Sequence, residues 1–179
     1  PAREFYDGAT YDLNKFRVFF NIRPSGSITM SINFTRGDAI DYANSRPATA
    51  TKFAPGLTWD MGRHLYFQLD HVFEDLEVEG GRLYRANLTQ ARLVYQFNLR
   101  SFVRVIVQRL DLKRNLSLFD ELPTNDSRQL LSQVIFSYKI NPQTVFYLGS
   151  SDGRAGREDL PLGRTSRTYF VKLGYAWLL

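Results

Sequence analysis

His64 and His71 are the two histidines among 179 residues and the readiest proton carriers near neutral pH. His71 follows Asp70, and an acid beside an imidazole is what general-base chemistry requires. On an extended chain, however, adjacent side chains point to opposite faces, so this pair cannot readily share a hydrogen bond. His64 stands beside Asp60-Met61-Gly62-Arg63, a turn by composition, where a solvated or interfacial ring is expected. A nucleophilic triad needs a serine, a histidine and an orienting acid in one place, and no spacing nominates such a set. The acids Glu74, Asp75, Glu77 and Glu79, and further on Asp120, Glu121 and Asp126, are hard oxygen donors of the sort that hold Ca²⁺ or bridge lipid phosphates through cations. Solvated loop charge is the simpler expectation for them. Cysteine is absent, which removes disulfides and thiolate metal sites. No catalytic residue, no metal and no cofactor is expected.

The charge balance is basic, 23 Lys+Arg against 18 Asp+Glu for a net +5. These cations are scattered singly, with no basic block, so nucleic acid is not an expected partner. Arg17, Arg23, Arg92, Arg104, Lys139 and Lys172, with Asp70 among them, fall at positions that alternate with apolar residues. If they line a lumen, they create a field favouring anions. The competing expectation is that carboxylates elsewhere neutralise them.

That alternation defines the elements. From Ser27 to Arg36, Ile28, Met30, Ile32 and Phe34 share one face and Thr29, Ser31, Asn33 and Thr35 the other, a period of two that no helix gives. The same scheme predicts nine strands, over residues 10–23, 27–36, 52–59, 64–74, 82–97, 102–112, 128–140, 144–150 and 166–178. Aromatic content of 15% suits strands. Short connections (24–26, 60–63, 98–101, 141–143) alternate with polar, longer ones (37–51, 112–127, 151–165), and the hairpin at Glu79-Gly80-Gly81-Arg82 belongs to the long side, its strands extending well into it. No run approaches the roughly 20 apolar residues of a membrane helix, and no signal peptide opens the chain. Alternating apolar strands with short turns on one rim and longer loops on the other are the signature of an outer-membrane barrel.

The expected fold is therefore all-β: an antiparallel up-and-down transmembrane β-barrel, one domain over 1–179. Nine strands is an odd number where bacterial barrels have an even one, so the chain is expected to be an N-terminally incomplete, C-terminal arc of a larger barrel. A soluble lipocalin-like carrier, with its apolar face inward, shares the periodicity. Strands longer than the roughly 9–11 residues that cross a bilayer favour the membrane. So do aromatics gathered at the short-turn ends, Phe20, Trp59, Tyr95, Phe97, Phe102, Tyr138, Tyr175 and Trp177, which match an interfacial girdle. Val171, Leu173, Tyr175, Trp177 and Leu179 alternate to the C-terminus and resemble the signal read by the barrel-assembly machinery, with Leu179 where Phe or Trp usually stands.

Several phrases together carry a family resemblance: Leu57-Thr58-Trp59, Leu83-Tyr84-Arg85-Ala86-Asn87, Leu93-Val94-Tyr95-Gln96-Phe97-Asn98, Val105-Ile106-Val107-Gln108, Phe136 to Pro142, Thr144 to Gly149, and Phe170 to Tyr175. From about Leu57 onward the chain resembles the C-terminal barrel of poorly characterised bacterial outer-membrane proteins. In these a carbohydrate-binding-like domain precedes the barrel, and members are described as membrane-associated hydrolases. The resemblance implies a bacterial outer-membrane location and a role as membrane anchor, scaffold or passive conduit. It also implies contact with outer-membrane lipid and lipopolysaccharide, biogenesis by the barrel-assembly machinery, and assembly with other subunits. It supplies no catalytic motif, so any hydrolase activity would belong to a part absent from this sequence.

Overall fold

The computed structural model describes residues 2–120, 127–157 and 161–177. Strands β1 (Ala2–Tyr6) and β2 (Ala9–Leu13) form a two-stranded hairpin. Nine further strands follow: β3 (Lys15–Ser25), β4 (Ile28–Asp41), β5 (Arg46–Met61), β6 (Leu65–Val78), β7 (Gly81–Asn98), β8 (Ser101–Arg114), β9 (Arg128–Asn141), β10 (Thr144–Gly156) and β11 (Gly163–Tyr175). They pair in chain order into one antiparallel meander. A 3-10 turn at Leu116–Leu118 is the one helical element among the described residues. The sheet is not closed into a barrel: among the described residues β3 bonds only to β4, and β11 only to β10.

Because directly opposed residues share a face, the register assigns every side. Val18 faces Phe34, Phe34 faces Phe53, and Phe53 faces Phe73. Further along, Leu65 faces Tyr95, Leu93 faces Val105, Val105 faces Val134, and Leu148 faces Val171. The apolar residues of nine strands thus form one continuous band on a single face. Among the described residues no second layer covers it. The extensive contacts between elements are those of hydrogen-bonded neighbours, apart from a small contact of β2 with β4. Met30, Leu69, Leu93, Val134 and Leu148 are accordingly exposed. The polar face is the more covered of the two in the central strands, with Ile135 and Ser137 buried beside exposed Val134. Among the described residues only neighbouring strands pack near these two, the coverage expected of a sheet that curls toward its polar side.

The short turns step progressively along the strand direction. Ile28 faces Trp59, two residues before the end of β5; Leu65 faces Tyr95, three before the end of β7; Ser101 faces Tyr138, three before the end of β9. Phe97 and Ile140 are bulged and add no step to the ladder, so the slip is six residues over six strand steps. At roughly 3.4 Å per residue and 4.8 Å between strands, it tilts the strands about 35° from the normal to the row of turns.

Three expectations change at the element scale. The strand expected over 10–23 breaks at Asn14, whose carbonyl accepts from the Asp38 amide at 2.9 Å and whose amide donates to Asp38 Oδ2 at 2.8 Å. Gly37 permits this approach, since a Cβ there would lie 2.7 Å from Lys15 Cα. Residues before the break turn back as the β1–β2 hairpin, through Asp7 and Gly8 at φ 48° and 78°. The long loop expected over 37–51 is mostly strand, leaving only residues 42–45 between β4 and β5. Likewise β10 runs on to Gly156 and β11 begins at Gly163, well inside the expected 151–165 loop. Charged cross-strand pairs, among them Arg46–Asp41 at 2.9 Å, stabilise these polar extensions once the apolar pattern has ended.

Candidate functional site

The site is the sheet itself, with two faces of opposite character. On the apolar face of β6, Leu65, Phe67, Leu69 and Phe73 project at a period of two, interrupted only by His71. From Leu65 to Phe73, at the tilt above, the band is about 22 Å tall. At the short-turn end it is edged with rings: Tyr95 packs edge-on against Phe97 at 5.0 Å, Phe97 lies 6.5 Å from Phe136, and Tyr175 lies 5.7 Å from Trp177. Trp59 opposite Ile28, and Tyr138 opposite Phe146, stand on the same face. Phe102 departs from the expected girdle. It sits opposite Gln96 and Ser137 on the polar face, because β8 starts at Ser101 and parity turns Val103 outward instead. Val171, Leu173 and Tyr175 lie on the apolar face of edge strand β11 and are exposed. Leu179 lies outside the described residues.

The polar face carries the expected lumen candidates. Register places Arg17, Asp70, Arg92, Arg104, Lys139 and Lys172 on it. Arg23 falls in the register shift between Ile22 and Ser25. A ladder runs up β6, Tyr66 donating to Gln68 Oε1 at 3.0 Å and Gln68 to Asp70 Oδ2 at 2.7 Å. Arg92 stands directly opposite Gln68. The Nε groups of Arg92 and Arg104 are shielded and donate no hydrogen bond. Among the described residues no carboxylate pairs with Arg17, Arg92, Arg104, Lys139 or Lys172.

Asp70 and His71 point to opposite faces. His71 Nδ1 lies 2.8 Å from Thr89 Oγ1 on the apolar side. His64 Nδ1 lies 2.6 Å from the Gln96 carbonyl, tying the turn to β7. The acidic run is divided by the same parity. Glu74 accepts from Tyr84 Oη at 2.7 Å on the polar face, while Asp75 accepts from Arg82 Nε at 2.7 Å on the other. Among the described residues no three acidic or histidine side chains converge on a metal position. Of the loop acids, Glu121 and Asp126 lie outside the described residues.

A feature with little sequence signal covers the long-loop end of the polar face. Ala48, Leu76, Val78 and Leu83 form a small core there, with Leu118 and Phe119 packed against it. Arg46 holds this cap in place, bonding Asp41 through Nε and the Leu118 carbonyl at 2.5 Å through a terminal nitrogen. The β1–β2 hairpin docks beside it: Tyr11 donates to the Ser45 carbonyl at 2.6 Å, Tyr6 to the Tyr42 carbonyl at 3.0 Å, and Tyr42 to Glu4 Oε1 at 2.8 Å. A cavity of about 480 Å³ remains between them, lined by Leu13, Ile40, Asp41, Glu74, Tyr84 and Phe119 among others. Burial, and then the bond to Glu74, push the Tyr84 phenol well above its ordinary pKa, in the polar extension beyond the apolar band. The Asp7-Gly8 pair is the sequence signal for the hairpin, since a two-residue turn with both φ positive favours this dipeptide.

A scan against protein-family models and a search among curated proteins each found no match.

Proposed function

We propose that this chain is a membrane-embedded arc of a bacterial outer-membrane β-barrel, serving as anchor, scaffold or passive conduit. Its apolar face meets hydrocarbon and its polar face a lumen. The observation that carries this reading is the uncovered apolar band, which continues across nine strands on the side away from which the sheet curls. In water so much contiguous apolar surface would be a strong liability; in lipid it is the surface a barrel needs. A lipocalin-like carrier requires the reverse, with the apolar side crowded within. The tilt of about 35° falls within the roughly 35–45° of membrane barrels, and the resemblance noted above points the same way.

Strands β3 and β11 both run toward the short-turn rim, so antiparallel completion of the barrel takes an odd number of further strands. Arg92, Arg104 and Lys172, without carboxylate partners among the described residues, favour anions in the lumen so formed.

The test uses neighbouring positions of β8. Val105 lies on the apolar face and Ile106 on the polar one. V105R is expected to lower folding into zwitterionic bilayers by about 2–4 kcal/mol, the cost of an arginine near the bilayer midplane. I106R is expected to cost far less. Heat-modifiable gel mobility after refolding into vesicles reads both. Equal loss in the two variants, or folding of the wild type without detergent or lipid, would sink the reading.

A further inference from the structure

Where the apolar band ends on β8, β10 and β11, the same face turns basic. On β8, Val103, Val105 and Val107 give way to Arg109 and Asp111, joined at 2.8 Å. On β11, Leu173, Val171 and Tyr169 give way to Arg167 and Arg164. Asp152 on β10 faces Arg167 and receives three guanidinium groups: Arg154 Nε at 2.9 Å, Arg164 Nε at 3.1 Å and Arg167 Nε at 3.0 Å. One carboxylate cannot neutralise three cations. Each guanidinium meets Asp152 through Nε and stays 42–51% exposed, so all three keep further N–H donors open to solvent while Asp152 holds them in place. Arg109, Arg154 and Arg164 also lie on one line of register, through Leu130. Arg109 is thus about 10 Å from Arg154, two strand spacings.

We infer that this cluster binds the phosphate groups of an anionic lipid in the leaflet on the long-loop side. It is a preorganised guanidinium cup set directly above the hydrocarbon-facing band. Geometry selects the occupant. The adjoining face is apolar, so a ligand seated there has acyl chains below and its charge at the level of the arginines. Planar guanidinium forks match phosphate oxygens in pairs, and Asp152 removes much of the side-chain entropy that binding would otherwise cost. The lipid class is a phosphorylated glycolipid or phospholipid, bound by its headgroup phosphate; a free phosphate lacks the apolar half of the site. This inference rests on the membrane reading above and names a partner for its outward face.

The full chain, refolded into zwitterionic nanodiscs, is supplied with bis-phosphoryl lipid A or the same lipid after enzymatic dephosphorylation, and lipid retention is read by native mass spectrometry. The phosphorylated lipid is expected to be retained at least about tenfold more tightly. R164Q/R167Q is expected to bring retention to the dephosphorylated level, while R114Q, opposite Tyr84 on the other face, leaves it unchanged. Heat-modifiable mobility confirms that each variant is folded. Equal retention of the two lipids, or wild-type retention by the double variant, overturns the lipid site while leaving the membrane reading intact. Failure of the wild type to enter nanodiscs at all overturns both.

Discussion

At the scale of single residues, a side chain's role follows from which face it occupies and what stands across from it. Arg92 and Asp75 are both charged strand residues, yet Asp75 meets Arg82 at 2.7 Å and Arg85 at 3.4 Å while Arg92 faces the neutral Gln68. Tyr42 shows how one hydroxyl can tie two sheets together. The hydrogen bond it donates to Glu4, followed by partial desolvation, raises its phenol above the ordinary value. A folded value above the unfolded one means that the contact contributes fully below about pH 10 and is lost as pH rises through the higher folded value. Limited proteolysis of the β1–β2 hairpin is therefore expected to accelerate only at strongly alkaline pH. Y42F should show faster cleavage at neutral pH and no such alkaline step. A wild-type profile that stays flat through the phenol range would count against this docking role.

Among the elements, β10 and β11 depend on a glycine. Gly149 faces Phe170, whose ring lies over the space a side chain would take, and a Cβ at 149 would also meet the Val134 carbonyl at 2.9 Å. The ring covers backbone that glycine leaves bare, a pairing used to stabilise strand glycines near sheet edges. Gly149→Val is expected to destabilise the β9–β11 region by about 1–3 kcal/mol through overpacking, measured as a lowered denaturant midpoint. F170A combined with Gly149→Val should recover part of that loss, because the clash goes with the ring. Much of this element scale was legible beforehand. Parity alone put Ile28, Met30, Ile32 and Phe34 on one face, and the turn-forming composition of segments such as Pro24-Ser25-Gly26 and Asn141-Pro142-Gln143 placed the short turns within a residue or two. Strand ends on the long-loop side were not legible. There the apolar pattern stops while the backbone pairing continues, held by ion pairs such as Arg46–Asp41. Phe102 shows the complementary limit, since aromaticity near a turn does not fix the face; counting from Ser101 does.

For the molecule as a whole, the consequence of an open meander is a gradient of stability from centre to edge. Strands β6, β7 and β8 have hydrogen-bonded neighbours on both sides, whereas β3 and β11 have one each among the described residues. Hydrogen exchange of the chain in detergent is expected to show strongest protection in β6–β8 and rapid exchange along β3 and β11. Equal protection at the two edges would mean that they are paired, with each other or with another copy.

The amino-acid order by itself determined that the chain is made of strands and which residues go together on each side. A period of two is local covalent geometry, present before any strand has a partner. Only the tertiary structure decided the register, and with it the tilt of the strands, the open edges, the capped cavity and the gathering of Arg154, Arg164 and Arg167 around Asp152. Those depend on which residue of one strand stands opposite which residue of the next, a relation between distant parts of the chain that hydrogen bonding and side-chain packing settle together.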